Sequence, residues 1–322
     1  MNGKERVNMK KEKIKRGDRF DGVWLRDEPS MNQIMAYIYP NRADNEAYIN
    51  EEIDLRPLEE YLTKKNAGRI GDKYKYFHVI CAAVAKTLIL RPKLNRFVAG
   101  NRLYQRRYAS VAFTMKKQFS DRSEEGLVMK KFQPDSTIDT MFNDLVKEIH
   151  DIREDRVVDN STNMMDKLVR LPYPILKFIM SILVKLDKRG KVPYDLIKED
   201  PNYSSCFLTN LGSIDLNCGY HHLSNWGTCT IFVVIGKKHL APEYHEDGTF
   251  EVRPVINLGF TLDERVADGY YYSKSMKLIK YLLTHPELLE LPLETPVDYL
   301  PKDDKRFAID RKAEMPKQTA VV

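Results

Sequence analysis

Thr261–Gly269, TLDERVADG, is the stretch whose reading decides the fold of this chain. It follows Val255–Leu262 (VINLGFTL), a short apolar run of strand type, and precedes Tyr272–Leu283, where apolar residues recur at helical spacing. Asp263, Glu264, Arg265 and Asp268 are therefore predicted to lie on a turn between a strand and a helix.

Further out, Cys206–Leu208 and Thr228–Ile235 (TCTIFVVI) are also short apolar runs bounded by Gly, Asn and Asp. Thr228–Ile235 and Val255–Leu262 flank the turn-rich Glu243–Thr249, with its Asp247-Gly248 pair, as the arms of a hairpin would. Ala109–Met115 and Leu127–Phe132 read as strands joined by the polar stretch Lys116–Gly126. Tyr74–Leu90 carries Phe77, Ile80, Ala83, Val84, Thr87 and Leu88 at helical spacing, ends at Pro92, and is expected to pack one apolar face on a sheet. Ser136 with Asp139 resembles a capping pair, and Ile138, Met141, Phe142, Leu145, Val146 and Ile149 continue it as an amphipathic helix. Met31–Tyr39 fits a strand or a short helix, and Arg153–Lys167 a loop or an exposed helix. Strands mixed with long helices in no strict alternation predict an α+β fold of mixed α/β layers.

With 322 residues, 43% of them hydrophobic and 30% charged, the chain can bury a full core. The expected organisation is a basic tail over 1–22, one domain over 23–299 and a charged tail over 300–322. Much of the net charge of +6 comes from Lys4, Arg6, Lys10, Lys11, Lys13, Lys15 and Arg16. That leader reads as a solvated tail, because few aromatics and no nucleic-acid motif accompany it, and no nucleic-acid partner is expected. Ile175–Leu186 (ILKFIMSILVKL) is interrupted by Lys177 and Lys185 and falls short of the roughly 20 residues a bilayer span needs. It reads as a buried or partner-facing helix, with contact to a membrane surface as the lesser alternative. Cys81, Cys206, Cys218 and Cys229 form no C-x-x-C pair, and charge stands where a signal peptide needs an apolar run. Free thiols in a reducing cytoplasm are the expectation. The absence of a phosphate-binding glycine loop, zinc spacing or dinucleotide fingerprint argues against a kinase, a metalloenzyme or a dehydrogenase, and no metal is expected.

TLDERVADG resembles the D-H-R-x-x-D-G signature of dihydrolipoamide acyltransferase catalytic domains, the 2-oxoacid dehydrogenase acyltransferase family with the chloramphenicol acetyltransferase-like fold. Other segments resemble that family in the same order. Phe77–Asn95 ends in RPKLN, similar to the family's HPELN; Cys206–Ser213 (CFLTNLGS) resembles FTISNLG; Thr228–Gly236 resembles AILGVG; and Tyr281–Leu288 (YLLTHPEL) resembles its closing helix. The resemblance implies a mixed sheet with helices packed on it, coenzyme A thioester as a substrate, and a homotrimer whose sites combine a strand hydroxyl and a signature loop from neighbouring chains. Carried over by position, Glu264 stands where the base belongs, Thr209 is the hydroxyl that donates to the tetrahedral oxyanion, and Arg265 and Asp268 hold the loop. Asn210 and Gly269 are supporting positions.

The departure is Glu264, where the family has histidine. Moving a thiol proton to an unperturbed glutamate costs roughly 3 kcal/mol more than moving it to histidine, for a difference of about 2 in pKa. Burial can raise a glutamate by that much. His221 and His222, just before Asn225-Trp226-Gly227, are the candidate substitute bases; no third ligand stands at a metal-binding spacing. Cys206 and Cys218 have no histidine partner in the sequence and read as small apolar residues. The family's lipoyl domain is not seen in cis, so a stand-alone acyltransferase, taking an acyl group from coenzyme A thioester to a small-molecule acceptor, is the expectation. The alternative is a catalytically silent trimeric scaffold.

Overall fold

A computed structural model describes residues 14–116, 120, 125–154, 168–198 and 200–300. The strands, in chain order, are β1 (Gly22–Trp24), β2 (Glu46–Asp54), β3 (Arg96–Ala99), β4 (Arg102–Arg106), β5 (Ala109–Lys116), β6 (Glu125–Phe132), β7 (Cys206–Asn210), β8 (Ile231–Ile235), β9 (His239–Tyr244) and β10 (Phe250–Asp263). The helices are α1 (Ser30–Ile38), α2 (Arg56–Lys65), α3 (Tyr76–Leu90), α4 (Ile138–Arg153), α5 (Tyr173–Lys188), the single turn α6 (Tyr194–Ile197) and α7 (Gly269–Thr284).

The large sheet runs β2-β10-β8-β7-β5-β6, with β9 also on β10. Its centre is parallel, β5 with β7 and β7 with β8, whereas β10 is antiparallel to β8, β2 and β9. This is the mixed α+β sheet the sequence predicts. Side chains alternate across a strand, and Cys206, Leu208, Ile231, Val233, Leu258, Phe260 and Leu262 join the core that includes α3 and α7. Phe207, Thr209, Phe232, Val234, Gly259 and Thr261 alternate with them on the opposite face. The segment 218–223 lies across that face: a Cβ at Gly259 would fall 2.4 Å from the Gly219 carbonyl oxygen, so only glycine admits the crossing. A small antiparallel sheet, β1-β4-β3, packs beside it. There Arg106 is buried, donating to the Tyr203 and Thr228 carbonyls at 2.9 and 2.7 Å.

Several expectations change. Helix α3 is buried on every side, His78 through Leu88, because α4 and α7 cover the face that was expected to meet solvent. The cap of α4 is Thr137, whose hydroxyl accepts from the Thr140 amide; Ser136 instead accepts from the Gln133 amide, one residue off the predicted pairing. The hairpin around Asp247-Gly248 joins β10 to β9, not to Thr228–Ile235; β8 begins at Ile231 and pairs with β10 further along. Met31–Tyr39 resolves as helix α1. Helix α5 is not buried: Tyr173, Ile175 and Phe178 are at least half exposed, and only Asp187 is fully covered. Of the tail expected over 1–22, residues 14–22 are described, and Arg19 and Asp21 among them are buried and paired at 2.8 Å. Most of Arg153–Lys167, and the tail beyond Leu300, lie outside the described residues.

Candidate active site

At the end of β10 the chain buries Asp263 completely, a cost that charge pairing offsets. Arg265 returns a two-pronged contact, Nε to Oδ1 at 2.8 Å and Nη2 to Oδ2 at 2.7 Å, and reaches the Tyr39 carbonyl at 3.0 Å with Nη1. Arg42 approaches the same carboxylate at 3.5 Å while donating to the Gly227 carbonyl at 2.9 Å and to that of Ser224. The Tyr272 hydroxyl donates to the Asp263 carbonyl at 2.6 Å. Asp268 caps α7, accepting from the Tyr271 amide at 2.8 Å, an arrangement that also places a carboxylate at the positive end of the helix. Gly269 begins that helix in open space. Arg265 and Asp268 thus fix the turn from both sides.

Glu264 stands at the apex of this turn. Its amide donates to the Asn45 carbonyl at 3.0 Å, and its exposed carboxylate has no partner among the described residues.

Thr209 lies elsewhere. It is half-buried near the end of β7, its hydroxyl without a partner among the described residues, and it lines a cleft of about 460 Å³. Asn210 follows, its carbonyl accepting from the Ser213 hydroxyl at 2.7 Å. The cleft is apolar within, at Phe77, Phe113, Met115 and Ile149, and carries Lys73, Lys75, Lys116 and His150. His78 also lines it: its Nδ1 accepts from the Lys75 amide at 3.0 Å, and burial, followed by the charge of Lys75, pushes the imidazole down to about 4, so that it is neutral at pH 7. His150 Nε2 contacts Asp72 at 2.9 Å.

Register gives the distance between the two positions. Thr209 pairs with Val234, Val234 with Gly259, and Glu264 lies five residues beyond Gly259. At about 3.3 Å per residue along and 4.8 Å between strands, Thr209 and Glu264 are roughly 19 Å apart within one chain. The parallel strand β7 and the antiparallel strand β10 send them to opposite ends of the sheet.

His221 and His222 are both exposed, and they differ. The His221 ring stacks on Phe232, centroids 4.8 Å apart. His222 meets Glu46, the residue opposite Asp263 in the β2–β10 register, with Nδ1 2.8 Å from Oε2. Tyr48 donates to the same oxygen at 2.6 Å, and the acceptance of its proton by Glu46 raises the pKa of the phenol. Sequence reading missed Glu46, Tyr48 and His78. The first two lie more than 170 residues from His222, and His78 sits near the start of a mainly apolar helix. Cys81, Cys206 and Cys229 are buried free thiols, with burial pushing Cys81 up to about 12. Among the described residues no cluster of metal-ligating side chains occurs, and no helix is long and apolar enough to cross a membrane.

Comparison with known proteins agrees with this architecture. Residues 183–291 match the model of the 2-oxoacid dehydrogenases acyltransferase catalytic domain. A probable dihydrolipoamide acetyltransferase from Listeria monocytogenes 4b F2365 superposes with a TM-score of 0.53 at 16% identity, covering 80% of this chain and 94% of its own. The dihydrolipoamide acetyltransferase of Azotobacter vinelandii gives 0.53 at 15% identity, covering 82% and 94%. Sequence comparison with curated proteins returns no match. The chain therefore has the fold of the chloramphenicol acetyltransferase-like acyltransferase cores, and over residues 183–291 it resembles in sequence the catalytic domain of the 2-oxoacid dehydrogenase acyltransferases.

Proposed function

We propose that this protein is an acyltransferase, passing an acyl group between a coenzyme A thioester and a thiol, hydroxyl or amine acceptor at sites shared between copies of the chain. The observation that carries the reading is the separation of Thr209 from the signature turn. A hydroxyl free to stabilise an oxyanion and a turn fixed in the family's manner stand about 19 Å apart, so they meet at one reacting carbonyl only if a neighbouring copy supplies one of them. A homotrimer satisfies this by cyclic symmetry. The cleft beside Thr209 suits the donor: an apolar interior for the pantetheine arm, and Lys73, Lys75 and Lys116 for its phosphates. The reading includes a cytoplasmic setting, in keeping with the free cysteines, and acyl transfer that needs neither a metal nor a lipoyl group in cis.

One observation favours a silent scaffold instead: Glu264, at the position of the family's base, is exposed, and its carboxylate has no partner among the described residues. Thermal unfolding with coenzyme A and acetyl-coenzyme A separates the two. A ligand at 100 times its Kd adds about 2.7 kcal/mol, which raises the midpoint by about 2–4 °C in a chain of this size. Acyl transfer requires that rise; no rise with either compound favours the scaffold.

A further inference from the structure

Glu46 is a carboxylate that the fold goes to some length to bury. Its side chain is 1% accessible, and every hydrogen bond it accepts comes from the segment around His222 or from Tyr48: the Leu223 amide to Oε1 at 2.7 Å, and the Tyr48 hydroxyl and His222 Nδ1 to Oε2 at 2.6 and 2.8 Å. The histidine it holds is 79% accessible. Burying a carboxylate costs free energy that an exposed surface imidazole does not by itself repay. The arrangement makes sense if the orientation of the ring matters.

The orientation is specific. An ionised carboxylate only accepts, so Nδ1 carries the ring proton and Nε2 keeps its lone pair, with no partner among the described residues. Tyr48 meets the imidazole edge-on, centroids 6.2 Å apart, and Tyr220 braces Tyr48 in the same way at 5.4 Å. A carboxylate on one ring nitrogen and a bare lone pair on the other is the arrangement that makes histidine a general base. His221, flat against Phe232, has no such partner among the described residues. The place is also right. Glu46 pairs with Asp263 in the β2–β10 ladder, and the Glu264 amide is bonded to Asn45, so His222 stands at the same end of the sheet as the signature turn.

Resting on the acyl-transfer reading above, we infer that His222 takes the proton in acyl transfer in place of the missing signature histidine, and that Glu46 and Tyr48 are positioning residues that fix its ring. His222 Nε2 accepts the proton of the acceptor thiol, hydroxyl or amine as that heteroatom bonds to the thioester carbonyl carbon. The tetrahedral oxyanion collapses, the carbon–sulfur bond breaks, and the imidazolium returns its proton to the departing coenzyme A sulfur. No oxidant or further reactant is needed.

The test is release of coenzyme A from acetyl-coenzyme A by the full chain, with dihydrolipoamide, a simple alcohol and a primary amine as acceptors. His222→Gln is expected to lower kcat by about 10²–10⁴-fold, the usual contribution of a general base. Glu46→Gln is expected to lower kcat by a smaller factor, with KM for acetyl-coenzyme A and the melting temperature close to native. A purely structural Glu46 would instead change melting and KM along with kcat. Native rates in His222→Gln, or a loss in Glu264→Gln as large as in His222→Gln, would overturn the assignment while leaving acyl transfer standing. A native chain that releases no coenzyme A to any of the three would overturn both.

Discussion

At the Thr209 end of the large sheet lysines, histidines and hydroxyls line an open cleft; at the Glu264 end the charged groups turn toward one another. The Thr209 hydroxyl has no partner among the described residues and lies beside a cleft of about 460 Å³ edged by lysines. Around the signature turn, Asp263, Arg265 and Arg42 are all buried, and their charges are spent on mutual contacts and backbone carbonyls. One end lines an open cleft and the other holds a loop in place. On the acyl-transfer reading proposed above, neither is a complete site, and the strand directions that separate them are the reason that reading calls on a second copy of the chain for the missing half.

If the turn is scaffolding, its arginine contributes to stability before it contributes to rate. Arg265→Ala leaves the buried Asp263 carboxylate with the backbone amide of residue 265 at 3.1 Å and the longer contact to Arg42 at 3.5 Å, and the loss of the paired guanidinium is expected to cost about 3–5 kcal/mol in urea unfolding. A loss below about 1 kcal/mol would erase the contrast between the two ends.

The opposite pattern is expected of Thr209. Thr209→Ala should lower acyl transfer by about 10²–10³-fold, the worth of one oxyanion donor, and leave urea unfolding nearly unchanged. Thr209→Ser, which keeps the hydroxyl, should retain most of the rate. Equal losses in both variants would mean that packing, not donation, is the role of the side chain.

The cleft also has a pH signature. Folding holds His78 at about 4 against an ordinary value of 6.5, so the folded chain refuses a proton that the unfolded chain accepts. Stability is therefore full above 6.5 and is lost as pH falls from 6.5 toward 4, by up to about 3 kcal/mol. His78→Gln, which keeps an acceptor for the Lys75 amide, should remove much of that slope in unfolding measured between pH 7.5 and 4.5.

The sequence made the fold and half of this contrast legible, because both rest on short-range patterns. TLDERVADG and CFLTNLGS are contiguous, and each lies at the end of an apolar run, so turn and strand were readable together. Strand β9 was not: HLAPEY alternates exposed and half-covered residues around a proline, and it forms on the outer part of β10, beyond the core pattern. The all-round burial of α3 was hidden because α4 and α7, distant in sequence, cover its second face. The Glu46–His222 contact spans 176 residues and reads locally as a strand-leading glutamate and a loop histidine, neither of them remarkable until the ladder brings them to 2.8 Å. Likewise nothing in the motifs alone said that Thr209 and Glu264 face opposite ends of one sheet.

That separation is the centre of the account, and mixing two inactive variants tests it most directly. Thr209→Ala and His222→Gln chains, each inactive alone, are unfolded together in equal amounts, refolded, and assayed for release of coenzyme A from acetyl-coenzyme A. In a cyclic trimer with sites shared between neighbours, random assembly rebuilds a complete site at about a quarter of the interfaces, and about a quarter of native activity should return. A mixture as inactive as its two components, while refolded native chain recovers its rate, would contradict a shared site.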